Sequence, residues 1–292
     1  SYELSGFKLD IGSSPSGFPV RNVVGGIKWS GQFDGIGVSA ELSRRSVTDS
    51  ILSFAGASDS LYQLQWGGVT KNGGRFDLSY DTDDGGVYGG VGAYALTGKN
   101  VVRNSSVDAG GGVYWKALKT KDSMLTAGVG MTAMFYRQNL RYFTYGHGGY
   151  FSPQSYLALN VPVEWSGRSG KFSYLLGGAV GVQHFKEDAT LIYPFSPADQ
   201  AELVQFAAAN PTLNIATSYK GQTHTGLQYK LMGSLEYLFN PYFALGGRFS
   251  VDNSGDFTDA AGMIYLRYTF EPRRSAPVFP PVVPRTYTQQ GN

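Results

Sequence analysis

An all-β fold, a transmembrane antiparallel up-and-down β-barrel of about sixteen strands (14–18 fit the length), is what three observations on this sequence predict. Apolar and polar residues alternate with period two along most of the chain, whereas helical periodicity is scarce. Charged residues make up only 16% and aromatics reach 14%, with Tyr 20, Phe 18 and Gly 40, against about 25% charge in ordinary soluble domains. Mean hydropathy is −0.19, and no window offers the roughly 18 apolar residues in a row that a membrane helix needs. A barrel reconciles these facts, because apolar-out and polar-in positions average to a neutral hydropathy.

The alternation is clearest from Asp108 onward. Apolar sets recur in 107–117, 125–136, 157–165 (Leu157, Leu159, Val161, Val163, Trp165), 172–182, 227–239 and 243–251. A last strand carries Ile264, Leu266, Tyr268 and Phe270. Noisier strands are expected at about 2–11, 22–30, 36–45, 62–71, 75–82 and 86–96. Both chain ends of such a barrel lie on one side, so the strand number should be even; the legible set is odd, and a further strand is expected in 46–60. Short joints at Gly31–Gly35, Asp83–Gly86, Lys119–Asp122, Ser166–Gly170 and Asn240–Pro241 contrast with long segments at 46–60, 97–106, 137–154 and 186–220. Short periplasmic turns and long external loops are the barrel asymmetry. Trp29, Trp115, Trp165, Tyr237 and Phe239 near strand ends read as interfacial aromatic girdles. A soluble sandwich also alternates, with its apolar face inward, and alternation alone does not separate the two.

The expected division is 1–270 as barrel and 271–292 as an extended, Pro-rich tail. Pro272, Pro277, Pro280, Pro281 and Pro284 bar a central strand there, and Phe279 and Tyr287 are candidate anchors, in the periplasm or the lumen. No signal-peptide pattern opens the sequence, so export implies processing from a precursor. The absence of Cys suits an oxidising periplasm.

On this register the polar face lines the interior. It carries Asp10, Glu41, Asp77, Asp108, Glu164, Glu236 and Asp252 against Lys8, Lys28, Arg75, Lys116, Lys230, Arg248 and Arg267. A pore for an anionic polymer needs a basic excess; this balance suits a neutral hydrophilic chain, with tyrosines such as Tyr114 and Tyr265 offering hydroxyls and ring faces to sugars. The bland alternative is cross-strand pairing that only braces the wall. The segment 139–154, with Tyr142, Phe143, Tyr145, Tyr150 and Phe151 around His147, is expected either to fold over the pore and touch its cargo or to pack on itself at the mouth.

Catalysis, metals and cofactors find no support. His147, His184 and His224 lack metal-ligand spacing. Gly89-Gly90-Val91-Gly92 and Gly110-Gly111-Gly112 do not complete a nucleotide-binding pattern, and no Ser stands in a nucleophile elbow. A net charge of +2 speaks against nucleic acid as a partner.

Several stretches resemble one family. They include Gly6-Phe7-Lys8-Leu9-Asp10-Ile11-Gly12, Glu41-Leu42-Ser43-Arg44-Arg45-Ser46-Val47-Thr48, Trp66-Gly67-Gly68-Val69, Leu96-Thr97-Gly98-Lys99-Asn100-Val101, the 139–154 segment, Gly181-Val182-Gln183-His184-Phe185 and Tyr265-Leu266-Arg267-Tyr268-Thr269-Phe270. Over 1–270 the chain resembles the C-terminal outer-membrane β-barrel of the bacterial cellulose synthase export component, a cellulose export channel. The resemblance implies a non-enzymatic conduit that carries a β-1,4-glucan (cellulose) to the cell surface, integral in the outer membrane among phospholipid and lipopolysaccharide. It also implies periplasmic tetratricopeptide repeats of the same precursor, which reach an inner-membrane cellulose synthase that drives translocation. A general polysaccharide or diffusion porin, or a barrel enzyme acting on lipid or polymer, are the alternatives.

Overall fold

The computed structural model describes residues 2–4, 6–59, 63–254, 257–272 and 276–284. Its strands are β1 (Tyr2–Leu4), β2 (Phe7–Ser13), β3 (Val23–Phe33), β4 (Ile36–Ser46), β5 (Ala57–Asp59), β6 (Leu64–Asp81), β7 (Gly85–Lys99) and β8 (Asn104–Lys119). They continue as β9 (Ser123–Tyr136), β10 (Ser155–Ser169), β11 (Phe172–Glu187), β12 (Thr190–Leu191), β13 (Ser218–Tyr219), β14 (Gln222–Leu238), β15 (Phe243–Ser254) and β16 (Phe257–Tyr268). Two α-helices, α1 (Ile51–Ala55) and α2 (Pro197–Ala209), lie in connections. Fourteen strands form one sheet, and β12–β13 make a separate two-stranded ladder. Strands of the large sheet pair antiparallel, almost always with their sequence neighbours, so the architecture is a meander. Among the described residues no register joins β1 or β2 to β16.

The sheet is nevertheless rolled. Phe151 donates its amide to Asp49 Oδ2, just past β4, at 3.1 Å, while His147 Nε2 lies 2.9 Å from Leu191 O, just past β11. Phe151 also packs its ring 5.1 Å from that of Phe185 within β11, so one residue touches both sides. In a flat sheet β4 and β11, six steps apart, would be separated by about 29 Å.

The two faces of this wall are inverted relative to a soluble protein. Leu157, Leu159, Val161, Val163 and Trp165 on β10 all lie between 44% and 49% exposed, whereas Ser166, Ser173, Gln183 and Glu236 on the other face are buried. Apolar side chains point out and polar ones in, which the sandwich alternative forbids. From Leu157 to Trp165 the outward apolar run covers about 26 Å of strand, or about 20 Å of height at a tilt near 40°. The longer run Leu227–Tyr237 on β14 gives about 25 Å, the apolar band of a transmembrane barrel.

Connections segregate by length. At one end, here the turn end, β3–β4, β6–β7, β8–β9, β10–β11 and β14–β15 are joined by short turns. Asp34 and Gly35, both at positive φ (46° and 83°), close the first of these, as a primed hairpin turn requires. The other, capped end collects 14–22, 47–63, 137–154 and 188–221. The aromatic girdle sits at the turn end, at Trp115, Trp165, Phe172 and Tyr237.

Four expectations are corrected. The two strands expected at 62–71 and 75–82 are, over Leu64–Asp81, the single β6, which continues through Asn72-Gly73-Gly74; residue 62 lies outside the described residues. Both glycines stay extended, and a Cβ on Gly73 would sit 2.1 Å from Ala93 O; the glycine serves close strand approach instead of a bend. The 2–11 stretch splits into the β1–β2 hairpin at Gly6 (φ 83°). The strand expected in 46–60 is replaced by α1 and the three-residue β5, which pairs only with β6, while β4 pairs directly with β6. Ser50 caps α1: its Oγ accepts from Ser53 N at 3.1 Å, and its own amide donates to Ser53 Oγ at 2.9 Å. Lastly, the long 97–106 connection shrinks to 100–103, because β7 and β8 run further than their apolar alternation.

The tail crosses the turn end on the inner side. Arg168 donates to Pro277 O at 3.3 Å and its guanidinium lies 5.5 Å from the Phe279 ring, while Arg267 bonds Val282 O. Phe279 is therefore an anchor. Tyr287 lies outside the described residues.

Candidate functional site: the lumen wall and its cap

Residues directly opposite in an antiparallel pair share a face, so the lumen can be walked through the register. Lys28 faces Glu41, Glu41 faces Arg75, Arg75 faces Gly92 and Gly92 faces Asp108. Asp108 faces Met134, Met134 faces Tyr156, Tyr156 faces Phe185 and Phe185 faces His224. All fourteen charged residues assigned to the interior from sequence fall on this face. The structure adds Arg45, Lys71 and Arg168 to the basic side and Asp81, Glu187 and Asp259 to the acidic side, so the balance of sign persists.

Many of these charges are spent on one another. Asp108, with its side chain 15% exposed, is held by Lys71 Nζ at 2.9 Å and Arg75 Nη1 at 2.8 Å, and Arg75 Nε also reaches Asp77 at 2.8 Å. Lys71 lies over the Tyr94 ring, 3.8 Å from its centroid. Arg45 bridges Asp10 at 2.5 Å and Glu41 at 3.2 Å. Near the turn end, Glu236 accepts from Tyr265 Oη at 2.9 Å and pairs with Arg267 at 3.3 Å. Tyr114 donates its hydroxyl to Asp81. Arg248 faces Ser234 and Met263, and Asp252 faces Lys230. Glu164 faces Thr126 and Gly177 and is half-buried.

A cavity of about 580 Å³ opens on this face, lined among others by Arg75, Asp77, Tyr88, Asp108, Thr132 and Asn160. Tyr88 lies against the neighbouring strands. A Cβ on Gly112 would meet its hydroxyl at 2.8 Å, and one on Gly130 at 3.4 Å. Glycine on β8 and β9 lets the ring lie on the wall instead of standing in the bore. Tyr88, Tyr94, Tyr156 and Phe185 were missed from sequence. In Gly85-Gly86-Val87-Tyr88-Gly89-Gly90 the neighbours carry no side-chain contrast, so hydropathy does not reveal that the aromatic faces in.

The six aromatic-loop candidates lie elsewhere, in the cap. Tyr142 stacks on Tyr219 at 3.6 Å and 8°, and His147 meets both rings edge-on. Tyr145 contacts Trp66 and Phe195. Tyr150 packs with Val69, Leu96, Val101 and Leu140, and its hydroxyl accepts from Asn104 Nδ2 at 3.1 Å. Phe151 meets Tyr156 and Phe185, joining cap to wall; Phe143 remains 63% exposed. Arg141 is clamped on the fully buried Glu187 at 2.5 Å, and Gln222 donates to the same oxygen at 2.6 Å. Burial sets the titration here: it pushes His147 below and Asp49 above their usual ranges, and raises the Tyr150 phenol. The loop thus packs on itself and spans from Asp49, past β4, to Phe185 on β11 and to Leu191.

The candidates therefore do not form one constellation. They are strung along the axis: Glu236, Tyr265, Arg267, Tyr114 and Glu164 towards the turn end, Asp77 and Asp108 in the middle, the aromatic loop at the cap. His184 and His224 face opposite sides of the wall, the first bonded to Thr225 Oγ1 at 2.7 Å, the second against Phe185. They do not share a site.

Comparison with known proteins bears on the same span. Residues 1–271 match the family model described as the C-terminus of cellulose synthase operon protein C. The cellulose synthase operon protein C of Xanthomonas axonopodis pv. citri is 40% identical over 280 residues, covering 92% of this chain and 18% of that protein. Its counterpart in Pseudomonas fluorescens is 39% identical, covering 96% and 21%, and that of Salmonella typhimurium 32%, covering 90% and 22%. The chain spans about a fifth of the length of the curated relatives it matches. A solved bacterial polysaccharide outer-membrane secretin shares the fold, with a TM-score of 0.53 at 11% identity over 92% of this chain and 78% of that one. The sheet, its inverted faces and this match over 1–271 lead to one assignment: the chain belongs to the family of cellulose synthase operon protein C C-termini.

Proposed function

We propose that the chain is an outer-membrane channel through which a neutral β-1,4-glucan passes to the cell surface. The observation that carries this reading is the lumen: its charges are balanced in sign and many are paired with each other, and between them lie glycine, hydroxyl and tyrosine surfaces. Such a lining gives an uncharged polyhydroxylated chain exchangeable hydrogen bonds and ring faces, and no net field that would hold an ionic polymer. Asp77, Asp108, Tyr114, Glu164, Glu236, Arg248, Asp252, Tyr265 and Arg267 contact the chain along the bore. Tyr142, Phe143, Tyr145, His147, Tyr150 and Phe151 meet it at the cap, which must part for it to leave.

In this reading the turn end faces the periplasm, where tetratricopeptide repeats of the same precursor connect it to an inner-membrane synthase whose polymerisation drives the movement. The channel itself performs no bond chemistry. The test is conductance in planar bilayers. Soluble cello-oligosaccharides should block the current at concentrations where charged sugars of equal length do not. Equal block by both, or by neither, points to a general diffusion pore and rejects the export reading.

A further inference from the structure

We propose that the outer rim of the capped end, over β8 to β14, binds the phosphate-bearing sugar headgroup of a membrane glycolipid. This rests on the reading of the chain as a membrane barrel. Ser105 shares the outward parity of Val107, Arg103 stands two residues before it, just ahead of β8, and Arg137, just past β9, donates its amide to the Ser105 carbonyl at 3.0 Å. Two strands further on, Lys186 projects outward between Ser155 and Thr223. Arg103, Arg137 and Lys186 are all exposed. Immediately below the arginines the wall turns apolar, at Val107 opposite Phe135, and below Lys186 Leu157 stands opposite His184.

Neither arginine side chain makes a hydrogen bond or ion pair among the described residues, and Lys186 has one exposed partner, Asp188, at 2.9 Å. Three cations and a row of hydroxyls therefore stand at the level where acyl chains would end, with one carboxylate among them. The opposite rim differs. Its outward positions are aromatic, and two of its cations are paired, the lumen-facing Arg168 with Asp122 and Lys119 with Asp83. A guanidinium fork is suited to phosphate.

Width selects the headgroup. Arg137, the residue after β9, and Lys186 on β11 are two sheet steps apart, about 10 Å. A single phosphodiester does not bridge that span, whereas a disaccharide phosphorylated at both ends does, with its hydroxyls over Ser155.

The probe is diphosphorylated lipid A, offered to the detergent-solubilised chain and read by native mass spectrometry. Dephosphorylated lipid A and phosphatidylglycerol are the comparison arms. Arg103→Gln/Arg137→Gln should bind lipid A about tenfold more weakly, and Lys171→Gln at the turn end should bind like the parent. Unchanged lipid A retention in the double variant overturns the proposal, as does equal retention of phosphatidylglycerol by the parent. Folding is read separately by heat-modifiable gel mobility and channel function by oligosaccharide block. A chain that never inserts into vesicles refutes the barrel reading itself, whereas a conducting chain indifferent to lipid A refutes only the headgroup site.

Discussion

Val161 sits midway along the outward run of β10, 47% exposed and opposite Val180. Replacing it with Arg separates water from hydrocarbon as the medium outside the wall. On a water-facing position of that exposure, substitution moves stability by no more than about 0.5 kcal/mol. At the midplane of a bilayer an outward Arg costs about 2–4 kcal/mol, falling to about 0–1 kcal/mol near the interfaces. With an apolar height of about 20 Å on this strand, Leu157 and Trp165 lie some 10 Å from the midplane. The expected profile therefore peaks at Val161→Arg and declines towards Leu157→Arg. The assay is denaturant unfolding of the chain refolded in lipid vesicles, where the free-energy difference follows from the shifted midpoint at constant slope. A flat profile along the strand, or a loss at Val161 below about 0.5 kcal/mol, refutes the assignment of the apolar face to lipid.

Further outcomes follow from the lumen and the cap. Asp108→Asn removes the negative charge shared by Lys71 and Arg75 and one of its two acceptor oxygens; discounted for partial exposure, the loss is about 1–2 kcal/mol, and the bore gains net positive charge, so reversal potentials in a salt gradient should move towards anion preference. Arg141→Ala leaves the buried Glu187 with the Gln222 amide in place of a guanidinium, which should loosen the cap by about 2–3 kcal/mol, seen as faster proteolysis of 137–154 with the wall intact. Tyr88→Ala should weaken block by cello-oligosaccharides severalfold while leaving open-channel conductance equal or higher, and unchanged block would remove Tyr88 from the path. His147 gives a pH signature. Its folded-state pKa lies below the usual value, so the closed cap refuses a proton that the opened loop accepts. Closure is then fully stable above about pH 6.5 and weakens as pH falls from there to the depressed value. Asp49, raised by burial, acts in the opposite sense nearer the carboxylate range. Channel opening should increase between about pH 7 and 5.5, and the step should vanish in His147→Gln; an identical profile in both proteins contradicts the assignment.

Period two, the charge deficit and the turn residues sufficed to place most wall strands, the shared face of fourteen charged residues and the crowding of long connections at one end. These are local properties. A strand's faces are fixed by alternation, and one register error would have exchanged them all, so the agreement at Lys28, Glu41, Arg75 and Asp108 is a demanding one. Only the tertiary structure decided which face meets the outside, because alternation is symmetric under exchange of inside and outside. Only it could merge 62–71 and 75–82 into β6, since Gly73-Gly74 carry no alternation until the backbone of β7 is seen pressed against Gly73. The cap was beyond the sequence for the same reason. Tyr142 on Tyr219, Arg141 on Glu187 and Phe151 on Asp49 join residues dozens of positions apart, and such contacts exist only once the sheet has rolled and brought the ends of β4 and β11 within reach of one loop.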